Sequence, residues 1–239
     1  MTDTLTQEAA AYFFPPTDMP SIPVLGEHSR YPVRRIFCVG RNYADHAKEM
    51  GVEVDREAPF YFTKSPFSIV ESGTTVPYPS GTADYHYEME LVIALGAPAR
   101  NVAVADAGGA VFGYATGLDM TRRDLQLAAR EKQRPWDLGK DFEKSAIIGP
   151  ITRSDCFAVR EQIIQLNLNG ARRQEARLSD LVWTVEELIS HLSRYYELGP
   201  GDLIYTGTPA GVGAVVSGDT IRGEIEGLEP VELAVGDAK

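Results

Sequence analysis

Short apolar runs alternate along the chain with clusters of Gly, Pro and Asp, and within most runs the spacing is that of strands. RIFCVG (35–40), FYFTKS (60–65), YEMELVIALG (87–96), AVFGYATGLDM (110–120), IIQLNLNG (163–170) and DLIYTG (202–207) all have this character. Three stretches carry helical signals instead. The first runs over 43–50 and stops at Gly51, a residue suited to a left-handed helix terminus. The second follows Thr121, which with Asp124 forms a candidate capping pair, and reaches about Lys132. The third spans 185–195, with Thr184 as its cap and GPGD beyond its end. Residues 1–33 hold Pro15, Pro16, Pro20, Pro23 and Pro32, a density that excludes a long helix and predicts an extended arm. The expected organisation is that arm followed by one strand-rich α+β catalytic domain over 34–239.

Composition narrows the partners. The 239 residues carry a formal charge of −11, so nucleic acid and anionic membrane surfaces would meet a repulsive field. A small anion is still admissible where a few cations converge in one pocket. The two cysteines, Cys38 and Cys156, have neither framework nor metal-ligand spacing. The first residues, MTDTLTQEAAAYFFPP, lack the basic start and apolar core of a signal peptide, so the expectation is a cytoplasmic protein.

Candidate chemistry concentrates in YHYEMELVIAL (85–95). On a strand, side chains at i and i+2 share a face, which sets Glu88 and Glu90 at one end of an apolar stripe continued by Val92 and Ala94. Two carboxylates so placed repel each other and pay for desolvation, costs that a hard divalent cation relieves. A solvated strand end is the plain alternative. Asp119, at the end of another apolar run and ahead of a helix, is a third candidate ligand. Three carboxylates plus waters suit Mg²⁺ or Mn²⁺, and no His or Cys nearby in sequence suggests zinc. His46 and Glu49, three apart on the first helix, share a face where a carboxylate can polarise an imidazole as a general base. His86, on the same side of its strand as the two glutamates, is a rival base. Arg41, Lys64, Arg122, Arg123 and Lys140, with Gln126 close by, are the cations and amide able to receive an anion. The Gly-rich YTGTPAGVG (205–213) lacks a phosphate-loop Lys and reads as a turn with Thr206 and Thr208 as donors.

Six segments in this order resemble the fumarylacetoacetate hydrolase family: VGRNYADHAKEMG, YEMELVIALG, GYATGLDMTRRDLQ, RPWDLGKDFEKS, LNLNG and YTGTPAGVG, together covering nearly all of 34–227. The resemblance implies a mixed, mainly β roll assembled as a homodimer. It implies a metal, Mg²⁺ or Mn²⁺, held by Glu88, Glu90 and Asp119, and a His46–Glu49 dyad on a lid, which favours His46 over His86. It also implies that Lys140 and Thr208 face the substrate, and that Arg41, Tyr43, Lys64, Arg123 and Gln126 line the same pocket. The chain departs from the family pattern at Ser65, which separates Lys64 from Pro66, and at Ile147 in SAIIGP. The activity implied is hydrolysis of a carbon–carbon bond in a small dioxo acid, with fumarylpyruvate as the expected substrate. The alternatives within the family are other acylpyruvates, oxaloacetate decarboxylation and hydroxydienoate isomerisation.

Overall fold

The computed structural model describes residues 12–51, 56 and 58–238. Its centre is an eight-stranded mixed sheet. From one edge the order is Phe60–Lys64, Arg35–Gly40, Asp202–Tyr205, Met89–Leu95, Val111–Asp119, Ala146–Ile148 and Ile69–Glu71, with Thr152–Arg153 also paired to Val111–Asp119. A second, five-stranded sheet runs Ala171–Arg177, Ile163–Leu168, Thr220–Ile225, Val231–Gly236, Thr74–Pro77. Among the described residues, five helices complete the fold: α1 (Ala44–Glu49), α2 (Val104–Ala107), α3 (Arg123–Glu131), α4 (Asp137–Lys140) and α5 (Val185–Leu192).

Met89–Leu95 is buried at every position because both of its faces are covered. Met89, Leu91, Ile93 and Leu95 join the larger core, which also takes in Leu166, Ile221, Ile225 and Val231 from the five-stranded sheet. Val92 and Ala94 turn to a second cluster with Ile36, Cys38, Leu203 and Tyr205. Ile22, Val24, Tyr31 and Val33 belong to that second cluster, so the Pro-rich arm ends in a small hairpin, Ser21–Pro23 against Arg30–Pro32, that covers the outer face of the main sheet. The Tyr31 hydroxyl donates to the Leu95 carbonyl at 2.7 Å and lies 3.0 Å from the Asp202 carbonyl oxygen, tying the hairpin to two central strands.

The helix ends show which local signals prevail. Thr184 caps α5 in a reciprocal box with Glu187. Gly51 closes α1 at φ 71° with its N–H on the Lys48 carbonyl at 2.9 Å. The expected Thr121–Asp124 capping pair does not form: Thr121 is drawn into a strand against His86, Arg122 holds the cap position, and the Asp124 carboxylate accepts from Thr82 and from the Ala83 N–H. At the first departure from the family pattern, Ser65 caps a short 3₁₀ turn and its N–H donates to Asp141 at 2.7 Å. At the second, Ile147 pairs within the sheet between Val70 and Leu118, a position where proline would remove a ladder donor.

Candidate active site

The carboxylates of Glu88, Glu90 and Asp119 converge, with one oxygen from each lying within 4.8 Å of the others, and all three residues are buried. The register explains the meeting. Glu90 stands opposite Gly117 on the neighbouring strand, where Asp119 is two residues further along, and the Asp119 N–H donates to the Glu88 carbonyl at 2.9 Å. Glu88 itself falls in the break between Tyr85–Tyr87 and Met89–Leu95. Gly117 has a reason to be glycine: an added Cβ would come within 2.6 Å of Val92 and 2.8 Å of Tyr205.

Two lysines and an arginine hold the cluster together. Lys140 Nζ, at the end of α4, donates to Glu88 Oε2 at 2.8 Å, Asp119 Oδ2 at 2.7 Å and Thr121 Oγ1 at 2.7 Å, which occupies all three of its hydrogens. Arg123 meets Glu88 Oε1 at 2.5 Å and donates to Gln126 Oε1. Lys64 Nζ lies 2.9 Å from Asp119 Oδ1, which accepts no properly directed hydrogen bond. The two glutamates are driven apart electrostatically. Burial raises the pKa of both, but Lys140 and Arg123 outweigh it at Glu88 and hold that carboxyl well below the usual range. At Glu90, burial is reinforced by the negative charges of Asp119 and Glu88, so its pKa is pushed well above normal. Burial lowers the Lys140 pKa, yet Asp119 and Glu88 more than compensate and keep its ammonium charged.

Three buried carboxylates, one of them costly to ionise and another with an oxygen no donor satisfies, form an all-oxygen donor set that fits a hard divalent cation. Glu88, Glu90 and Asp119 are the residues that would hold it.

Above this cluster opens a narrow cleft lined in part by Arg41, His46, Glu88, Arg123, Gln126, Lys140 and Thr208. His46 on α1 is buried, and its Nδ1 lies 3.1 Å from Glu49 Oε2, which leaves Nε2 as the nitrogen free for proton transfer. The rival His86 does not line the cleft. Its Nε2 contacts Asp84 at 2.8 Å and its Nδ1 faces Arg123 at 3.5 Å, while burial lowers its pKa.

Two of the residues expected along the cleft stand behind its wall. Lys64 is on the same side of its strand as the cleft residue Phe62. Its ammonium lies deeper, however, and binds the Met120 and Lys140 carbonyls and Ser145 Oγ. Tyr43 is packed into the core, where burial and then the Glu90 charge raise its pKa. Conversely, Val39, Met50, Phe62, Arg130 and Trp136 line the cleft although none of them is a candidate site residue in the sequence. Their side chains carry no periodic signal and meet only through long-range packing.

The Gly-rich segment does more than turn the chain. Gly207, at φ 97°, sends its N–H to Glu90 Oε2 at 2.8 Å, and a Cβ there would strike Asn42 at 2.8 Å. Gly211, also at φ 97°, sends its N–H to Glu49 Oε2 at 3.1 Å, and a Cβ there would lie 2.1 Å from the Arg173 carbonyl. One loop thus supports both a carboxylate of the cluster and the carboxylate that orients His46. Thr208, between them, lines the cleft and accepts from Gln174 Nε2 at 2.8 Å.

This architecture, with a β roll carrying three acidic residues under a His–Glu helix, places the chain in the fumarylacetoacetate hydrolase family. Residues 35–235 match that family's C-terminal domain, described as Fumarylacetoacetate (FAA) hydrolase C-terminal. Among individual proteins, it is 53% identical over 192 residues to a fumarylpyruvate hydrolase from a Ralstonia species, covering 80% of this chain and 100% of that one. A crystal structure of fumarylpyruvate hydrolase from Pseudomonas aeruginosa in complex with Mn²⁺ and pyruvate superposes with a TM-score of 0.92 at 45% identity, covering 95% of this chain and 100% of that one. A mitochondrial oxaloacetate tautomerase from Rattus norvegicus is 38% identical over 213 residues, 86% of this chain and 93% of that one.

Proposed function

We propose that this protein is a divalent-metal-dependent hydrolase that cleaves fumarylpyruvate to fumarate and pyruvate. The observation that carries the reading is the juxtaposition of a buried three-carboxylate cluster with a His46–Glu49 dyad across one small cleft. The similarity to fumarylpyruvate hydrolases supports the choice of substrate. Mg²⁺ or Mn²⁺ bound by Glu88, Glu90 and Asp119 would supply Lewis-acid withdrawal of electrons from the pyruvyl end of the substrate.

The chain's own residues account for the proton and charge movements. Arg123 and Gln126 receive the substrate's α-keto acid end, and Thr208 lines the same cleft. His46 Nε2 takes a proton from water, while Glu49 stabilises the imidazolium that results. The water oxygen bonds to the carbonyl carbon next to the fumaryl group and forms an oxyanion. Lys140, a cation of the cleft in direct contact with the carboxylate cluster, stabilises that charge, and to do so it gives up one of its three present acceptors. Collapse of the oxyanion breaks the bond to the methylene carbon. The pair of electrons leaves as the enolate of pyruvate, and His46 returns the proton to that carbon. The free thiols Cys38 and Cys156 support a cytoplasmic setting, and the family resemblance supports a homodimer.

Incubation of the Mn²⁺-loaded protein with fumarylpyruvate is expected to yield equimolar pyruvate and fumarate as the enol absorbance disappears. If fumarylpyruvate survives while oxaloacetate is tautomerised or loses carbon dioxide, the carboxylate cluster keeps its role and the hydrolase assignment is wrong.

A further inference from the structure

The cleft has a second charged end that the mechanism above leaves unused. Arg41 and Arg130 both line it, each half-buried, and among the described residues neither makes an ion pair. Arg130 donates one hydrogen bond, to the Met50 carbonyl at 3.0 Å at the end of α1. Arg41 adopts φ 61°, a left-handed conformation rare outside glycine, and its guanidinium lies over the Phe60 ring at 5.6 Å. Burial and then the positive charge of Arg130 lower the Arg41 pKa, so the two cations sense each other. Glu88 is the one carboxylate among the described residues lining the cleft, and Arg123 and Lys140 already engage it.

Between the two ends lies an aromatic wall. Lys140 Nζ sits 4.9 Å from the Phe62 ring centre, and Phe62 packs on Trp136 at 5.8 Å. Trp136 in turn packs on Phe60 at 4.9 Å, and Phe60 reaches Arg41. A flat conjugated chain matches such a wall, and a carboxylate at its far end would meet two guanidiniums, the side chains best shaped for bidentate contact.

We infer that Arg41 and Arg130 form a clamp for the distal carboxylate of an elongated, unsaturated dicarboxylate, and so determine specificity for substrates charged at both ends. The inference rests on the reading of the cluster end as the site of the α-keto acid. It also gives Arg130 a second task. Because the same guanidinium holds the C-terminal end of the His46 helix, capture of a dianion at the clamp and the placement of the catalytic base are linked through one side chain.

Arg130→Gln and Arg130→Lys, both loaded with Mn²⁺, provide the test. Fumarylpyruvate is compared with acetylpyruvate, which has the same dioxo acid and lacks the distal carboxylate. Losing one charge-assisted clamp contact is expected to lower kcat/KM for fumarylpyruvate about 30-fold in the Gln variant. That loss is expected to exceed the loss on acetylpyruvate at least about tenfold, with partial recovery in the Lys variant. An equal loss on both substrates means that Arg130 acts only through the helix, and overturns the clamp. Binding is measured in parallel with fumarate and with crotonate, in which a methyl group replaces one carboxylate. Wild-type protein is expected to prefer fumarate about tenfold, and the Gln variant to lose that preference. A preference absent from the wild type or retained in the variant overturns the clamp, whether or not the protein hydrolyses fumarylpyruvate. Failure of hydrolysis with an intact, Arg130-dependent fumarate preference overturns only the assigned reaction.

Discussion

Glu88, Glu90 and Asp119 hang from or between strands covered on both sides, whereas His46 and Glu49 ride on a six-residue helix whose outer positions Ala44, Asp45 and Lys48 face solvent. Every cluster carboxylate has at least one donor or cation within reach, and several of those partners are themselves buried. The helix has no side-chain cap at Tyr43. It is held by the Arg130 contact to Met50, by Gly211 to Glu49 and by burial of Ala47 and His46. An isolated helix this short is far below the length that is stable in water, so its position depends on these contacts and on the anchoring of Asn42 and Tyr43 just before it. The comparison teaches a division of labour: the ligand cluster is preorganised by the sheet, and the base sits on a short helix held by contacts at its two ends.

Breaking the rigid half has the largest expected effect. Glu90→Gln keeps the shape and the Gly207 contact but deletes a ligand charge. Mn²⁺ affinity is expected to fall on the order of 100-fold and turnover at least about 1,000-fold, checked by metal titration followed by product assay. Retention of full metal affinity would move the site elsewhere. Breaking the helix-borne half separates chemistry from metal binding. His46→Ala is expected to lower kcat by roughly 10² to 10⁴ while Mn²⁺ affinity stays within about threefold of wild type, measured on the same samples. A parallel loss of metal would show that the dyad and the carboxylate cluster are not distinct.

The smallest effect comes from pH. Because the Glu90 pKa is raised by burial and by Asp119 and Glu88, the metal-free protein takes up a proton there more readily than a free carboxylate does, and the cation competes with that proton. Apparent Mn²⁺ affinity therefore increases as pH rises towards and through the Glu90 pKa and weakens as pH falls. The dependence is expected to approach about tenfold per pH unit where that single proton is released, and to flatten in Glu90→Gln. A pH-independent affinity in the wild type would show that Glu90 is already ionised.

The rigid half is also the more legible one. Period-two spacing by itself puts Glu88 and Glu90 on one face, and Asp119 stands out at the end of an apolar run. Long apolar stretches such as Met89–Leu95 announce themselves because both faces are buried. Ala171–Arg177 does not: it reads ARRQEAR, keeps only Gln174 buried, and is composed largely of residues that favour helices. The His46–Glu49 pair is visible from spacing, but choosing it over His86 needs the family resemblance, since both histidines lie beside carboxylates. The depth of Lys64, the wall of Phe62 and Trp136, and the approach of Arg130 to Arg41 are beyond local reading. They depend on pairings such as Arg35–Gly40 with Asp202–Tyr205, elements far apart in the chain.

The three donors of Lys140, together with Arg123 and Lys64, have a consequence for assembly. In many small metalloproteins the ion is the nucleus around which the polypeptide organises itself. Here the ammonium and guanidinium groups already act as internal counterions to Glu88 and Asp119. The newly made polypeptide can therefore complete its folding first and acquire its metal afterwards, by exchange at a finished site. Loss of the ion would silence the enzyme and leave the scaffold standing, ready to be reloaded.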